Sequence, residues 1–284
     1  MPPHPNPTRP GSSQAPDRRA EAARRRRMLR DLDLAVANDT LNLVFRPRLL
    51  LDSGRLWGAE TTLRWPHRRH GLQGAGALYD MAGDTRLAAR LTDWTLRHAC
   101  RTAAQWGETP VCVSVRLIGQ QWRTHGLADM AAQALTQANL PHARLELRIP
   151  EAALDHVSAA DLLHLSQLRD LGIDLALEHF GDTVASLCLL RRLPISTLTL
   201  APALLRHAAE DPADATLLLS VIRTARAMGL NVVACGVERQ DQLAQLRASF
   251  CTAVQGGLFA QAGPASLVLP WLEPAQPTGA ELAA

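Results

Sequence analysis

The sequence predicts an α/β fold, a (β/α)8 TIM-like barrel whose first strand runs antiparallel to the others. Three observations carry that expectation. A chain of 284 residues that is 47% hydrophobic and 20% charged can bury one large core. From about residue 111 onward, short apolar runs alternate with amphipathic helical patterns, which calls for a parallel sheet covered on both faces. Before that point, two strand-like runs at 41–51 and 55–65 are joined only by the Asp52-Ser53-Gly54 turn, so they form a hairpin and cannot both be parallel to the later strands.

In chain order, residues 1–27 combine Pro, Ser and Arg with almost no large apolar side chains and end in Arg24-Arg25-Arg26-Arg27; they read as a disordered basic tail. A charged helix near 18–38 overlaps its end and leads into the hairpin. The next helical region spans about 76–107, where Leu87, Leu91, Trp94, Leu96, Ala99 and Cys100 keep close to a 3.6-residue period. Strand-like runs then recur at 111–117, 144–149, 173–180, 197–200, 231–237 and 252–255. Helical patterns lie between them near 125–139, 158–171, 184–192, 213–229 and 239–249, several closed by Gly172, Pro194 or Gly229. With the hairpin this makes eight strands, the number that closes a barrel. The barrel domain is expected over 28–272, with a flexible tail at 273–284.

Composition narrows the function classes. No apolar run approaches the ~20 residues of a membrane helix, and the N-terminus has no signal-peptide core, so the expected location is the cytoplasm. A formal charge of +3 gives no global field for nucleic acid. All 30 basic residues are Arg, which excludes any mechanism that requires a lysine. The five cysteines, Cys100, Cys112, Cys188, Cys235 and Cys251, lack paired spacing and sit in apolar surroundings, as reduced buried thiols do.

Functional residues of such barrels gather at the C-terminal ends of the strands. Those ends carry Glu60, Arg116, Arg148, Glu178, His179, Thr199, Cys235 and Gln255. Read as residues alone, they form a ring of mixed charge, with no set of three or four oxygen ligands for a hard cation and no phosphate loop.

The segment Gly58-Ala59-Glu60-Thr61-Thr62-Leu63-Arg64-Trp65-Pro66 resembles the opening motif of the EAL domain, the barrel that hydrolyses cyclic di-GMP, with the small-then-Leu pair replaced by Thr61-Thr62. The resemblance covers roughly residues 28–268, with the segments in order. Val113-Ser114-Val115-Arg116 is similar to the strand ending in a metal-binding Asn, here Arg116. Leu145-Glu146-Leu147-Arg148-Ile149-Pro150-Glu151 resembles the strand bearing a ligand Glu, here Arg148, with a loop-supporting Glu after it, kept as Glu151. Glu178-His179-Phe180-Gly181 stands for a double Asp before Phe-Gly. Thr199 falls at the lysine that orients the attacking water, and Cys235 at a catalytic-site Glu. Gln255-Gly256-Gly257 keeps the Gln and loses the aromatic two residues after it.

The resemblance therefore implies a remnant pocket of Glu60, Arg64, Glu151, Glu178 and Gln255, with the family positions replaced at Arg116, Arg148, His179, Thr199 and Cys235. The family pattern is strongly negative there and offsets two divalent cations, Mg2+ or Mn2+. Here Glu60 and Glu178 are cancelled by Arg116 and Arg148. An Arg beside a divalent ion is repelled by on the order of several kcal/mol at an effective dielectric near 20, and two-metal hydrolysis needs those ions. The expectation is no metal, no cofactor and no catalytic residue. Glu60 pairs with Arg116 or Arg148 in this reading, Arg64 pairs with a barrel carboxylate or holds a phosphate, and Glu178 and His179 diverge as neighbours on a strand.

The expected function is a catalytically degenerate EAL-domain protein acting as a regulatory protein-interaction module in bacterial cyclic di-GMP signalling, with an unidentified protein partner and a possible homodimer. Two alternatives stand beside it. One is a non-hydrolysing cyclic di-GMP receptor using Arg46, Arg64, Arg116 and Arg148 for phosphate. The other is a weak phosphodiesterase using Glu60, Glu178 and one metal.

Overall fold

A computed structural model describes residues 18–83, 86–124, 126–154, 156–182 and 187–272. Among these residues, nine strands form one sheet: β1 Asn42–Leu50, β2 Leu56–His67, β3 Gly71–Gly74, β4 Cys112–Arg116, β5 Leu145–Pro150, β6 Asp174–Phe180, β7 Thr197–Leu200, β8 Asn231–Cys235 and β9 Ala253–Gln255. Their order is β1-β9-β8-β7-β6-β5-β4-β2, and β1 also pairs with β2, so eight strands close on themselves. β1 is antiparallel to both its neighbours. The other barrel neighbours, from β2–β4 round to β8–β9, are parallel. The expected barrel with one reversed strand is the observed fold.

Among the described residues, ten α-helices accompany the sheet: α1 Arg18–Ala37, α2 Ala75–Ala82, α3 Arg86–Ala104, α4 Leu127–Ala138, α5 Ala159–Asp170, α6 Leu187–Leu190, α7 Pro202–Arg206, α8 Pro212–Ala227, α9 Gln240–Arg247 and α10 Leu269–Leu272. Their starts are written locally. Ser158 and Asp161 cap α5 reciprocally, and the Asp211 side chain accepts from Ala213 N–H ahead of Pro212 in α8.

Strand alternation sorts the side chains. Val113 and Val115 of β4, Leu145, Leu147 and Ile149 of β5, Leu175 and Leu177 of β6, and Leu198 and Leu200 of β7 all join the main core outside the barrel, against the helices. The residues between them, Ser114, Glu146, Arg148, Glu178, Thr197 and Thr199, are equally buried, so they fill the lumen. A second core, with Leu32, Leu63, Trp65, Leu78, Leu91 and Trp94, joins α1, α2 and α3 to β2.

The structure corrects several boundaries. The charged helix expected near 18–38 is α1, so residues 18–27, placed also in the disordered tail, are helical; residues 19–27 are exposed. The rest of that tail, and the expected tail at 273–284, lie outside the described residues. The single helical region at 76–107 is two helices, with α2 ending at Gly83, where φ is +52°. The short strand β3 was not expected, because four residues give too little alternation to read. Cys188 is exposed, whereas the other four cysteines are buried. No helix among the described residues is long and apolar enough to cross a membrane.

Candidate functional site

Two layers of buried polar side chains fill the C-terminal half of the lumen. In the deeper layer, Arg48 Nε donates to Gln255 Oε1 at 2.9 Å and its Nη1 to Glu146 Oε1 at 2.5 Å. Ser114 Oγ donates to that same carboxylate oxygen at 2.5 Å. In the layer at the mouth, Arg148 Nη1 binds Glu178 Oε1 and lies 3.1 Å from Glu60 Oε1, while its Nη2 donates to the Thr61 carbonyl at 3.0 Å. Gln255 joins the layers by donating from Nε2 to Glu60 Oε2. Arg116 Nε stands 3.1 Å from Glu178 Oε2, and its guanidinium lies 5.4 Å from the centre of the Tyr79 ring. One unbroken chain of charges and hydrogen bonds thus runs from Glu146 through Arg48, Gln255, Glu60, Arg148 and Glu178 to Arg116.

Local geometry positions these groups. Leu177 pairs with Leu198 but Phe180 with Leu200, so β6 carries one extra residue against β7. That residue is His179, whose φ of +58° is left-handed. Glu178 therefore points into the lumen while His179 turns out toward Asp182, 3.6 Å away. Divergence was expected from simple alternation, and the bulge achieves it. At the end of β9, a Cβ on Gly256 would collide with the Val237 backbone. Only glycine lets Val237 N–H reach the Gln255 carbonyl at 3.1 Å, which fixes Gln255 beside Glu60.

Burial pushes the Glu60 carboxyl up, but Arg148, Arg48, the Gln255 hydrogen bond and Arg46 outweigh it and hold the group near 2. Glu146 is also held below the usual carboxylate range, burial being outweighed by Arg48 and Ser114. Cys235 moves the other way: burial raises its thiol and Glu60 adds to the rise, so it stays protonated. Tyr79 is raised to about 12, mainly by burial.

Of the expected remnant pocket, the structure brings Glu60, Glu178 and Gln255 together. Glu151 instead accepts from Gly181 N–H at 3.1 Å and so supports the loop after β6. Arg64 donates to the Leu63 carbonyl at 3.1 Å and has no carboxylate partner among the described residues, so of its two expected roles the carboxylate pairing is not made. Arg46 faces Glu60 across the β1–β2 pair at the rim. Thr199 and Cys235 are buried lumen residues. The sequence reading missed Arg48, Ser114, Glu146 and Tyr79. A signal existed for two of them: Glu146 and Arg148 are two residues apart on one strand, as are Arg46 and Arg48, so each pair shares a face.

The EAL domain family model matches residues 28–262. The bifunctional diguanylate cyclase/cyclic di-GMP phosphodiesterase MucR of Pseudomonas aeruginosa is 31% identical over 253 residues, which is 88% of this chain and 37% of that protein. The cyclic di-GMP phosphodiesterase NbdA of the same organism is 33% identical over 240 residues, 84% of this chain and 31% of that protein. The chain therefore spans about a third of the length of these relatives. Among solved structures, the MucR phosphodiesterase in complex with cyclic di-GMP superposes with a TM-score of 0.80 at 31% identity, covering 86% of this chain and all of that one (100%). The Xanthomonas citri FimX EAL domain, also in complex with that nucleotide, gives 0.76 at 21% identity, covering 87% of this chain and 97% of that one, a likeness of fold. The family model, the sequence relatives and the shared fold agree, and the chain belongs to the EAL-domain family.

Proposed function

We propose that this chain is a catalytically degenerate EAL domain that serves as a regulatory protein-interaction module in bacterial cyclic di-GMP signalling. One observation carries the reading: the Arg148 guanidinium occupies the space between Glu60 and Glu178 and binds both. Those are the two acidic side chains left at the positions where the family resemblance puts metal ligands. Their oxygens face cationic or amide donors, and Glu60 is held ionised by them. A divalent ion placed there would meet Arg148 and Arg116 at close range, and the residues present do not fit it. Among the described residues, no group of three or more His, Cys, Asp or Glu could hold a metal ion.

The same contacts bear on the chemistry of this chain's own residues. A general base needs a free lone pair near the attacking water. Glu60 accepts from Gln255 and Arg148, Glu178 is engaged by Arg148 and Arg116, and Cys235 holds its proton. Thr199 supplies a hydroxyl where the family resemblance places an ammonium.

A second reading, a non-hydrolysing receptor, draws on the cyclic di-GMP held by the MucR structure and on the arginines at this rim. The test is calorimetric titration with cyclic di-GMP in Mg2+ and in EDTA, with the recovered nucleotide analysed. Intact nucleotide in both buffers is expected. Divalent-dependent cleavage would overturn the proposal, metal-independent binding would favour the receptor, and absence of binding would leave the protein-interaction module.

A further inference from the structure

Charge is segregated along this chain. Residues 18–30 hold seven Arg and one Glu, a charge of +6, whereas the whole chain carries +3, so everything outside that segment sums to −3. The small overall charge thus conceals a cationic segment joined to a body of the opposite sign.

The two halves of α1 are held differently. The second is fastened to the barrel: Leu32 and Ala35 are buried in the second core, Asp33 pairs with Arg90, and Asp31 lies 3.5 Å from His67 Nε2. Just beyond the helix, Asp39 accepts from Trp94 Nε1 at 2.6 Å. The first half has no buried face, because residues 19–27 are all exposed. Successive residues of a helix step by about 100°, so Arg24, Arg25, Arg26 and Arg27 point in four directions round the axis. Arg25 donates to the Asp80 carbonyl at 3.4 Å, and none of the four has a carboxylate partner among the described residues. Like charges three or four positions apart, Arg24 with Arg27 and Arg26 with Arg30, repel one another on a helix surface. A helix that is polar on every side, with Glu21 as the one acid in residues 18–30, needs something to answer it.

We infer that the first half of α1 is an arm that binds duplex DNA through its phosphates. The occupant follows from the way the charge is spread. The major groove of DNA, about 12 Å wide, admits a helix and has phosphates along both walls, so guanidinium groups on opposite sides of the helix are used together. A flat anionic membrane meets one side only, and the apolar residues within 19–27 are Ala20, Ala22 and Ala23, too small to anchor in lipid. The major groove of duplex RNA is too narrow for side chains to enter. Arginine binds phosphate oxygens in pairs, and such contacts position a protein without reading sequence. The anchored half of α1 holds the arm clear of the second core, and the net negative charge of the rest of the chain keeps the other surfaces from competing for the polyanion. This binding is independent of what the barrel mouth holds.

The full chain is titrated by fluorescence anisotropy against a labelled DNA duplex of mixed sequence at several sodium chloride concentrations, with duplex RNA of the same length and vesicles of phosphatidylserine and phosphatidylcholine in parallel. Saturable binding to DNA is expected, and with four phosphates engaged its affinity should fall about a hundredfold between about 50 and 200 mM salt. Arg24→Gln with Arg26→Gln keeps helix propensity and should leave a fall of only about tenfold. Arg191→Gln with Arg192→Gln, at two exposed arginines of the turn before β7, removes the same charge and should bind DNA as the parent does. Four results would each overturn the inference: no binding to DNA at low salt, no change in the Arg24 and Arg26 double variant, an equal loss in both double variants, or tighter binding to RNA or vesicles than to DNA.

Discussion

Arg144 and Arg148 sit four residues apart, both buried, and they are answered in opposite ways. Arg144, at the N-terminal edge of the barrel just before β5, donates from Nε to the Val111 carbonyl at 3.1 Å, from Nη1 to Gly107 at 2.7 Å and from Nη2 to Ala103 at 2.8 Å. Those neutral carbonyls lie at and beyond the end of α3, where a cation suits the helix dipole. Burial lowers the Arg144 pKa. Arg148, at the mouth, binds two carboxylates, and Glu178 and Glu60 raise its pKa against the burial that lowers it. One arginine fastens a helix to a strand. The other is a charge whose burial is tolerated only because two opposite charges are buried with it.

The contrast is broken most forcefully at Arg148. Arg148→Ala leaves Glu60 and Glu178 buried without their shared partner and should cost about 3–5 kcal/mol in urea unfolding. Removing the opposing charge as well, in Arg148→Met with Glu178→Met, should recover most of that. A double variant no more stable than Arg148→Ala would refute the account of the mouth as an ion-paired plug.

Acid should separate the two regions next. Glu60 is held near 2 in the folded protein against an ordinary value of 4.5, so its contribution is present above 4.5 and lost as pH falls from there toward 2. Integrated over that window it amounts to ~3 kcal/mol, and Glu146 adds in the same direction. Arg144 faces carbonyls that do not titrate. Arg144→Ala should keep the acid dependence, whereas Arg148→Ala should flatten it. Identical acid profiles in the two variants would show that Glu60 is not the titrating group.

Smaller effects sharpen the picture. Arg144→Ala should cost ~2 kcal/mol through lost charge-assisted hydrogen bonds, and Arg144→Lys should restore only part, since one ammonium cannot span three carbonyls. Arg148→Glu combined with Arg116→Asn should confer a Tm that rises with Mg2+ or Mn2+, which the parent should not show. Failure to gain that response would weaken the correspondence of β4 and β5 with the ligand-bearing strands. A thiol reagent should react rapidly at the exposed Cys188, while the four buried cysteines react only on unfolding.

Much of this was legible in the residues. The alternation of strands and helices gave the barrel, and the tight Asp52-Ser53-Gly54 turn gave its reversed strand, because both are local patterns of burial and backbone preference. The replacement of the family's site positions by Arg116, Arg148, Thr199 and Cys235 was visible because each lies at the end of a recognisable strand. The face that Arg48 shares with Arg46 was readable, but the partners of Arg48, and Tyr79 altogether, were not. Arg48 answers Glu146, 98 residues away, and Gln255, 207 residues away, separations over which sequence carries no geometric signal. Tyr79 reaches Arg116 from α2, a helix whose break from α3 the periodicity concealed.

By itself, then, the sequence determined which faces are apolar, hence the fold, and which charges stand at the mouth. Only closure of the barrel decided which charges meet. Glu60 and Glu178 lie on β2 and β6, on different parts of the ring, and one guanidinium from β5 reaches both because the lumen is narrow enough for a single side chain to span it. Pairing there depends on register, the bulge at His179 and the close approach at Gly256, and those are properties of the assembled sheet.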